Sequence, residues 1–349
     1  MRGGVRLRAR AAGADAGGAL STRAEAPPDR RAPARVPDAR PLARRFLEYQ
    51  RERFPLAAYV PLIAVFTFSA AAYSRLARGA PGFVPADRFF AGALTALVFF
   101  FMLRVLDEHK DAEVDRRYRP ELPVPRGLVS LAELRRIGGA ALAGVLFLNA
   151  LLAPVLLWAC LAVALWAALM TREFFVPGWL RAHPAAYLVT HMAIMPMIDG
   201  YTTGLDWLAE GADPPRGLWL FLLVTFLNGV VIEIGRKIRA PEGEREGVDT
   251  YTRVWGTRTA PAVWLATLAA TAATAWLAAR HVGIGGAAAV ALAIAATLAA
   301  LPALLFLRAP GAARAKRIEA ASGAWTLAMY LLLGAGPFLA RWIGGGLVR

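Results

Sequence analysis

Apolar residues in this chain come in long blocks, not in alternation or as a one-sided helical stripe. The blocks run over Pro55–Ser74, Phe89–Leu106, Ile137–Leu152, Pro154–Met170, Ala185–Trp207, Leu218–Ile238, Ala260–Ala279, Gly285–Leu307 and Trp325–Ile343. A helix of about 20 apolar residues spans a bilayer, so the pattern predicts an all-α polytopic membrane protein with nine transmembrane helices. The third and fourth blocks are almost continuous. As one helix they would extend roughly 50 Å, more than one crossing. Asn149 and Pro154 offer a break, which predicts two short helices joined by a tight turn.

Basic residues orient the series, because cytoplasmic loops carry the excess of Lys and Arg. With the N-terminus inside, the stretches Arg104–Arg136, Gly235–Arg258 and Arg308–Arg317 all fall inside, and all are basic; the acidic stretch Asp206–Asp213 falls outside. Residues 1–45 are rich in Arg, Ala and Pro without periodicity, which predicts a disordered basic tail before a membrane domain over 46–349. No apolar core precedes Phe54, so the tail does not read as a secretory signal peptide; a transit peptide and a cytoplasmic tail both stay open. The expected location is a membrane of the bacterial inner type, with the N-terminus and both long charged loops in the cytoplasm.

Composition agrees with that picture. The 349 residues are 57% hydrophobic with mean hydropathy +0.45, which excludes an ordinary soluble domain. The net charge of +15 fits inside loops lying against anionic lipid, so the bilayer and not a nucleic acid is the expected partner. The single cysteine, Cys160, lies in an apolar run and reads as packing.

The densest charge lies between the second and third blocks. Asp107, Asp111 and Asp115 recur every fourth residue, so on a helix they stack along one side with a drift of about 40° per step. Glu108 sits beside them, and Arg116, Arg117, Arg119 and Arg126 follow. An acidic ladder next to a cationic cluster at a membrane surface suits a diphosphate held through divalent metal ions. The plainer reading is an ion-paired surface loop.

The string Asp107-Glu108-x-x-Asp111-x-x-x-Asp115, then Arg119-Pro120 and Pro125-Arg126-Gly127, resembles the first signature of the UbiA superfamily of intramembrane prenyltransferases, usually NDxxDxxxD. Asp107 stands where that family has Asn, and Glu108 where it has its first Asp. The resemblance extends from about Arg45 to the end. It implies nine helices with two Asp-rich motifs on cytoplasmic loops. It also implies a Mg²⁺-bound polyprenyl diphosphate donor, with Asp107, Glu108, Asp111 and Asp115 as metal ligands and Arg119 and Arg126 on the phosphates. Bound metal would neutralise the leaving group, and an apolar aromatic chamber would shield the prenyl cation from water.

Residues 228–256 fall where the family places its second motif. Gly247, Thr250 and Gly256 resemble its ending, but the spaced aspartates are replaced by Glu233, Glu242, Glu244 and Asp249. Glu233 is spaced to pair with Lys237 at i, i+4. At a membrane boundary, where unpaired charge is costly, Glu233 reads as a metal ligand or a Lys-orienting group, and Arg236 and Lys237 as diphosphate contacts. Simple positive-inside anchoring is the alternative for Arg236, Lys237 and Arg239.

Asp199 is a carboxylate inside the fifth block, with His191 eight residues earlier. Together they are candidates to position an acceptor or to take the proton lost on alkylation, against a plain helix-packing role. Asn228 is a packing residue or a cavity ligand. Arg172 and Glu173, which close the fourth block, are a weaker match to cationic residues of the family. The expected activity is transfer of a prenyl group to a small-molecule acceptor, aromatic or quinone-precursor in type, with Asp111, Asp115 and Asp199 as catalytic residues. Two alternatives stay open: a terpene cyclase on the same fold, and a transporter or lipid-binding protein using Asp199, His191 and Asn228.

Overall fold

The computed structural model describes residues 38–245 and 247–344. Residues 1–37, most of the expected tail, lie outside the described residues. The described chain is all helix and turn. It begins with a surface helix, α1 (Leu42–Arg53), that the apolar pattern did not announce. Then come α2 (Leu56–Arg78), α3 (Ala86–Lys110), a short α4 (Ala112–Tyr118), α5 (Leu131–Leu152), α6 (Leu157–Thr171), α7 (Pro177–Ala182), α8 (Pro184–Met192), α9 (Ile194–Gly204) and α10 (Leu218–Arg236). A short α11 (Tyr251–Trp255) leads into α12 (Thr259–His281), α13 (Gly285–Arg308), α14 (Ala312–Tyr330) and α15 (Gly336–Ile343).

Among the described residues, seven helices are long and apolar enough to cross a membrane, which makes the chain an integral membrane protein. The expected break after Leu152 is present: α5 stops there, and Pro154 opens a tight turn into α6. The fifth block differs from one straight helix. Pro196 has no N–H for the carbonyl of Met192, and the helix divides at Ala193 into α8 and α9. The loop expected over Arg308–Arg317 shrinks to three residues, because α14 already starts at Ala312.

The bundle is built around α10, which packs on α12, α14, α9 and α8. Its contacts are polar as well as apolar: the Trp264 indole N–H donates to the Val231 carbonyl at 3.0 Å and approaches Ser322 Oγ at 3.0 Å. A second layer joins α3 to α5, α2 and α6. A π-helical turn, Leu331–Ala335, links α14 to α15 and lies against α2. A side chain at Gly334 would meet the Ser69 backbone at 2.0 Å, so only glycine allows this approach.

Candidate functional site

The bundle brings the C-terminal ends of α3 and α10 together with α8. Asp107, in the last turn of α3, is solvent-exposed and lies within electrostatic reach of Arg236 at the end of α10, as well as of Arg104, Lys110 and Asp111. Among the described residues, no side-chain hydrogen bond or ion pair engages the carboxylates of Asp107 or Asp111. Facing them, Glu233 is buried in α10 and accepts from Arg236 Nε at 2.6 Å and from Lys237 Nζ at 2.8 Å. Glu233 therefore fixes the two cations. Lys237 Nζ also stands 5.8 Å from the Tyr251 ring and 6.0 Å from the Tyr187 ring.

The two charged loops meet above this cleft. Gly247 has φ +73°, and a side chain there would strike the Tyr118 ring at 2.3 Å. Only glycine accepts both that conformation and that contact. Arg245 reaches Glu121 at 3.4 Å across the same junction. Within the second loop, Glu244 accepts from the hydroxyls of Thr250 at 2.7 Å and Thr252 at 2.8 Å, while Thr252 Oγ1 accepts from the Arg239 N–H. Glu242 accepts from the Ala312 N–H and caps α14. Two of the acids that replace the spaced aspartates therefore organise the loop itself.

The carboxylate ladder is less uniform than its spacing. The helix breaks at Asp111, although the Asp115 N–H still donates to the Asp111 carbonyl at 2.8 Å. Asp115 is buried, and Arg119 lies 3.5 Å from it. Burial raises the Asp115 carboxyl above its ordinary value, against the opposing pull of Arg119. Glu108 turns away from the cleft and is held by Arg53 at 2.7 Å and Arg104 at 3.3 Å. Arg126 points to α1, where it meets Glu52 at 2.6 Å and Glu48 at 3.1 Å. With Arg45 on Glu133 at 2.7 Å, these pairs strap α1 across the first loop. Glu108 and Arg126 are thus placed with the strap, apart from Asp107, Asp111, Glu233, Arg236 and Lys237.

Sequence reasoning passed over the residue that joins these elements. Lys110 donates to Glu173 Oε1 at 2.5 Å and to the Tyr187 hydroxyl at 2.8 Å, and lies 3.2 Å from His191 Nε2. His191 Nδ1 sits 2.9 Å from the Tyr187 carbonyl, which can only accept, so Nδ1 carries the proton and Nε2 receives from Lys110. Glu173, Phe174 and Phe175 all have positive φ, at 49°, 51° and 61°. Such a conformation costs a non-glycine residue about 1–2 kcal/mol. Lys110 sits in the i+3 position from Asp107, and that spacing was the available signal.

His191 and Asp199 do not come together. They lie on α8 and α9, on either side of the division at Ala193, and have different partners. Asp199 is buried and accepts from the Tyr330 hydroxyl at 2.5 Å and from Thr202 Oγ1 at 3.2 Å, with Thr225 also facing it. A small cavity lies here, lined by Asp199, Thr202, Tyr330, Thr67, Phe66 and Phe100. The Phe66 and Tyr330 rings stack at 4.2 Å. Asn228 is fully buried with both amide atoms unpartnered among the described residues.

No three His, Cys, Asp or Glu side chains converge on one point among the described residues. A Mg²⁺ ion does not require that, since it keeps several waters and takes one or two carboxylates beside substrate phosphate. The open oxygens of Asp107 and Asp111 fit such a role.

By sequence alone, no family model and no curated protein matches the chain. Solved structures do. The apo structure of a UbiA homolog from Aeropyrum pernix K1 aligns with a TM-score of 0.59 at 19% identity, over 80% of this chain and 98% of that one. A structure of digeranylgeranylglyceryl phosphate synthase aligns with a TM-score of 0.58 at 14% identity, over 85% of this chain and 99% of that one. These alignments show that the chain has the UbiA-like fold.

Proposed function

We propose that this protein is a membrane prenyltransferase, moving a prenyl group from a Mg²⁺-bound polyprenyl diphosphate to a small-molecule acceptor. The observation that carries the reading is the inner cleft, where open carboxylates on α3 face fixed cations on α10 across a UbiA-like bundle. In this reading the chain crosses the bilayer nine times, α5 and the α8–α9 pair being the two crossings beyond the seven long apolar helices. Its N-terminus and both charged loops then lie in the cytoplasm.

Asp107 and Asp111 would hold Mg²⁺, which supplies positive charge to the leaving diphosphate. Arg236 grips phosphate oxygens through its fork, and Lys237 adds a point charge beside them. Glu233 positions both cations. Asp115 and Arg119 close the inner edge of the ladder, while Glu108 and Arg126 hold α1 over it. The prenyl chain descends between α2, α3 and α9, where Phe66 and Phe100 exclude water. Asp199 lies deeper, level with Thr225 on α10, eleven residues or about 16 Å of helix before Arg236. There it takes the proton released from a bound acceptor, with Tyr330 orienting its carboxylate.

The test uses purified full-length protein with Mg²⁺ and labelled polyprenyl diphosphates of increasing length, measuring pyrophosphate release and the labelled product. Release that needs an added acceptor supports transfer. Release with an isomerised or cyclic hydrocarbon and no acceptor supports a cyclase on the same fold. The absence of any release overturns both.

A further inference from the structure

We propose that Lys110 is a third cation for the diphosphate, held in reserve by Glu173 until substrate arrives; this rests on the diphosphate reading of the cleft. Lys110 closes α3 between two open carboxylates, one turn after Asp107 and next to Asp111. Any anion docked through those carboxylates arrives beside its stem. Its ammonium has three donors, and all three are taken, by Glu173, Tyr187 and His191. Two of these partners are neutral, so Glu173 is the one anion bonded to the ammonium.

The pair is not sealed. The Lys110 and Glu173 side chains each retain 20% exposure, so both open on the mouth of the cleft. Glu173 also begins the left-handed run Glu173–Phe175, a backbone kept in place only while its surroundings hold it. Phe174 in that run packs edge-on against Trp166 and His191. When diphosphate oxygens compete for the ammonium, Lys110 pivots on its flexible stem toward them. Glu173 is then released and the turn can relax. Tyr187 contacts Lys110 through both its hydroxyl and its ring face, at 4.7 Å from the centroid, and guides the swing. Substrate binding at α3 is thereby coupled to the turn after α6.

A purely structural Lys110–Glu173 pair predicts that breaking it from either side weakens the site. A reserve predicts opposite signs. Binding of pyrophosphate with Mg²⁺ to the purified full-length protein, followed by calorimetry, separates them. Lys110→Met should weaken binding about 10- to 100-fold, the effect of losing a charged hydrogen bond, and Lys110→Arg should restore part of it. Glu173→Gln should tighten binding about 2- to 5-fold, the scale of one exposed competing pair. In the double variant the gain from Glu173→Gln should vanish, because no ammonium remains to be freed. If Glu173→Gln binds equally or more weakly while wild type binds, the reserve is overturned and the diphosphate site stands. If wild type itself fails to bind, the diphosphate reading falls and takes the reserve with it. If Lys110→Met does not fold, the sign of the Glu173→Gln effect decides alone.

Discussion

The two ends of this bundle carry the same residue types and use them in opposite ways. At the end where α2 meets α9, Asp206 is fully buried and accepts from Arg75 at 2.7 Å, Arg78 at 2.7 Å and the Ser74 hydroxyl at 2.6 Å. Glu210 takes second bonds from the same two arginines, at 2.5 and 3.1 Å. Each strong donor there has an acceptor within the protein, and the network ties the end of α2 to the end of α9. At the opposite end, where α3 meets α10, Asp107 and Asp111 stay open while Glu233 fixes two cations opposite them. A saturated network holds helices together. An unsaturated one, with its cations fixed by a buried partner, leaves carboxylate oxygens free, and the proposed function assigns them to Mg²⁺. Charge near a membrane boundary is therefore informative only once its partners are counted.

The sharpest way to break the comparison is to remove charge from each end and ask what fails. Asp206→Ala removes the buried one of the two anions that Arg75 and Arg78 share and leaves them only the part-exposed Glu210. It should cost about 3 kcal/mol of stability, the low end for breaking a buried pair because Glu210 remains, seen as a fall in Tm, while the turnover of protein that remains folded is unchanged. Asp111→Asn should do the reverse. No protein partner is lost, so Tm should hold. Diphosphate consumption should fall about 10²–10³-fold, the scale of removing one preorganised electrostatic group, and chelating Mg²⁺ should abolish it. Should Asp206→Ala reduce turnover at unchanged Tm, the division between the two ends would be wrong.

Arg236→Gln probes the cation side with a smaller expected effect. Loss of a charged hydrogen bond predicts about a 10- to 100-fold loss in kcat/KM for the diphosphate. Arg236→Lys should recover only part, because it lacks the fork that engages two oxygens together. Full recovery by lysine would mean that the site senses only a point charge.

Legibility in the sequence followed the range of the physics. Apolar blocks and the break at Pro154 depend on local composition, and the helices follow them. The α8–α9 kink was signalled by Pro196 but lost inside an apolar window. Helix α1 has little apolar content, and its ion pairs to Glu108, Arg126 and Glu133 span more than 50 residues, so no local pattern shows it. The same holds for Lys110. Its partners come from Glu173, Tyr187 and His191, and only the packing of α3 against α6 and α8 reveals that one ammonium serves all three. The carboxylate spacing was visible; which members open on the cleft and which turn to α1 was set by tertiary neighbours.

The smallest predicted effect concerns the rung of the ladder that is buried. The Asp115 carboxyl lies above its ordinary value of 3.8 because burial disfavours its charge more than Arg119 favours it. The folded protein therefore binds this proton more tightly than the unfolded chain does. Linkage gives the sign: the contribution to stability is fully present below pH 3.8 and is lost as pH rises through the folded-state value. At neutral pH the charged form is a net cost, so Asp115→Asn should raise Tm slightly there, and the gain should shrink on acidification toward pH 4. If Asp115 serves the diphosphate through metal, added Mg²⁺ and pyrophosphate should stabilise wild type more than Asp115→Asn and narrow or reverse that difference. A gain in Tm that stays the same with and without those ligands would assign Asp115 to the strap beneath α1, with Glu108, and leave Asp107 and Asp111 as the only rungs that open on the cleft.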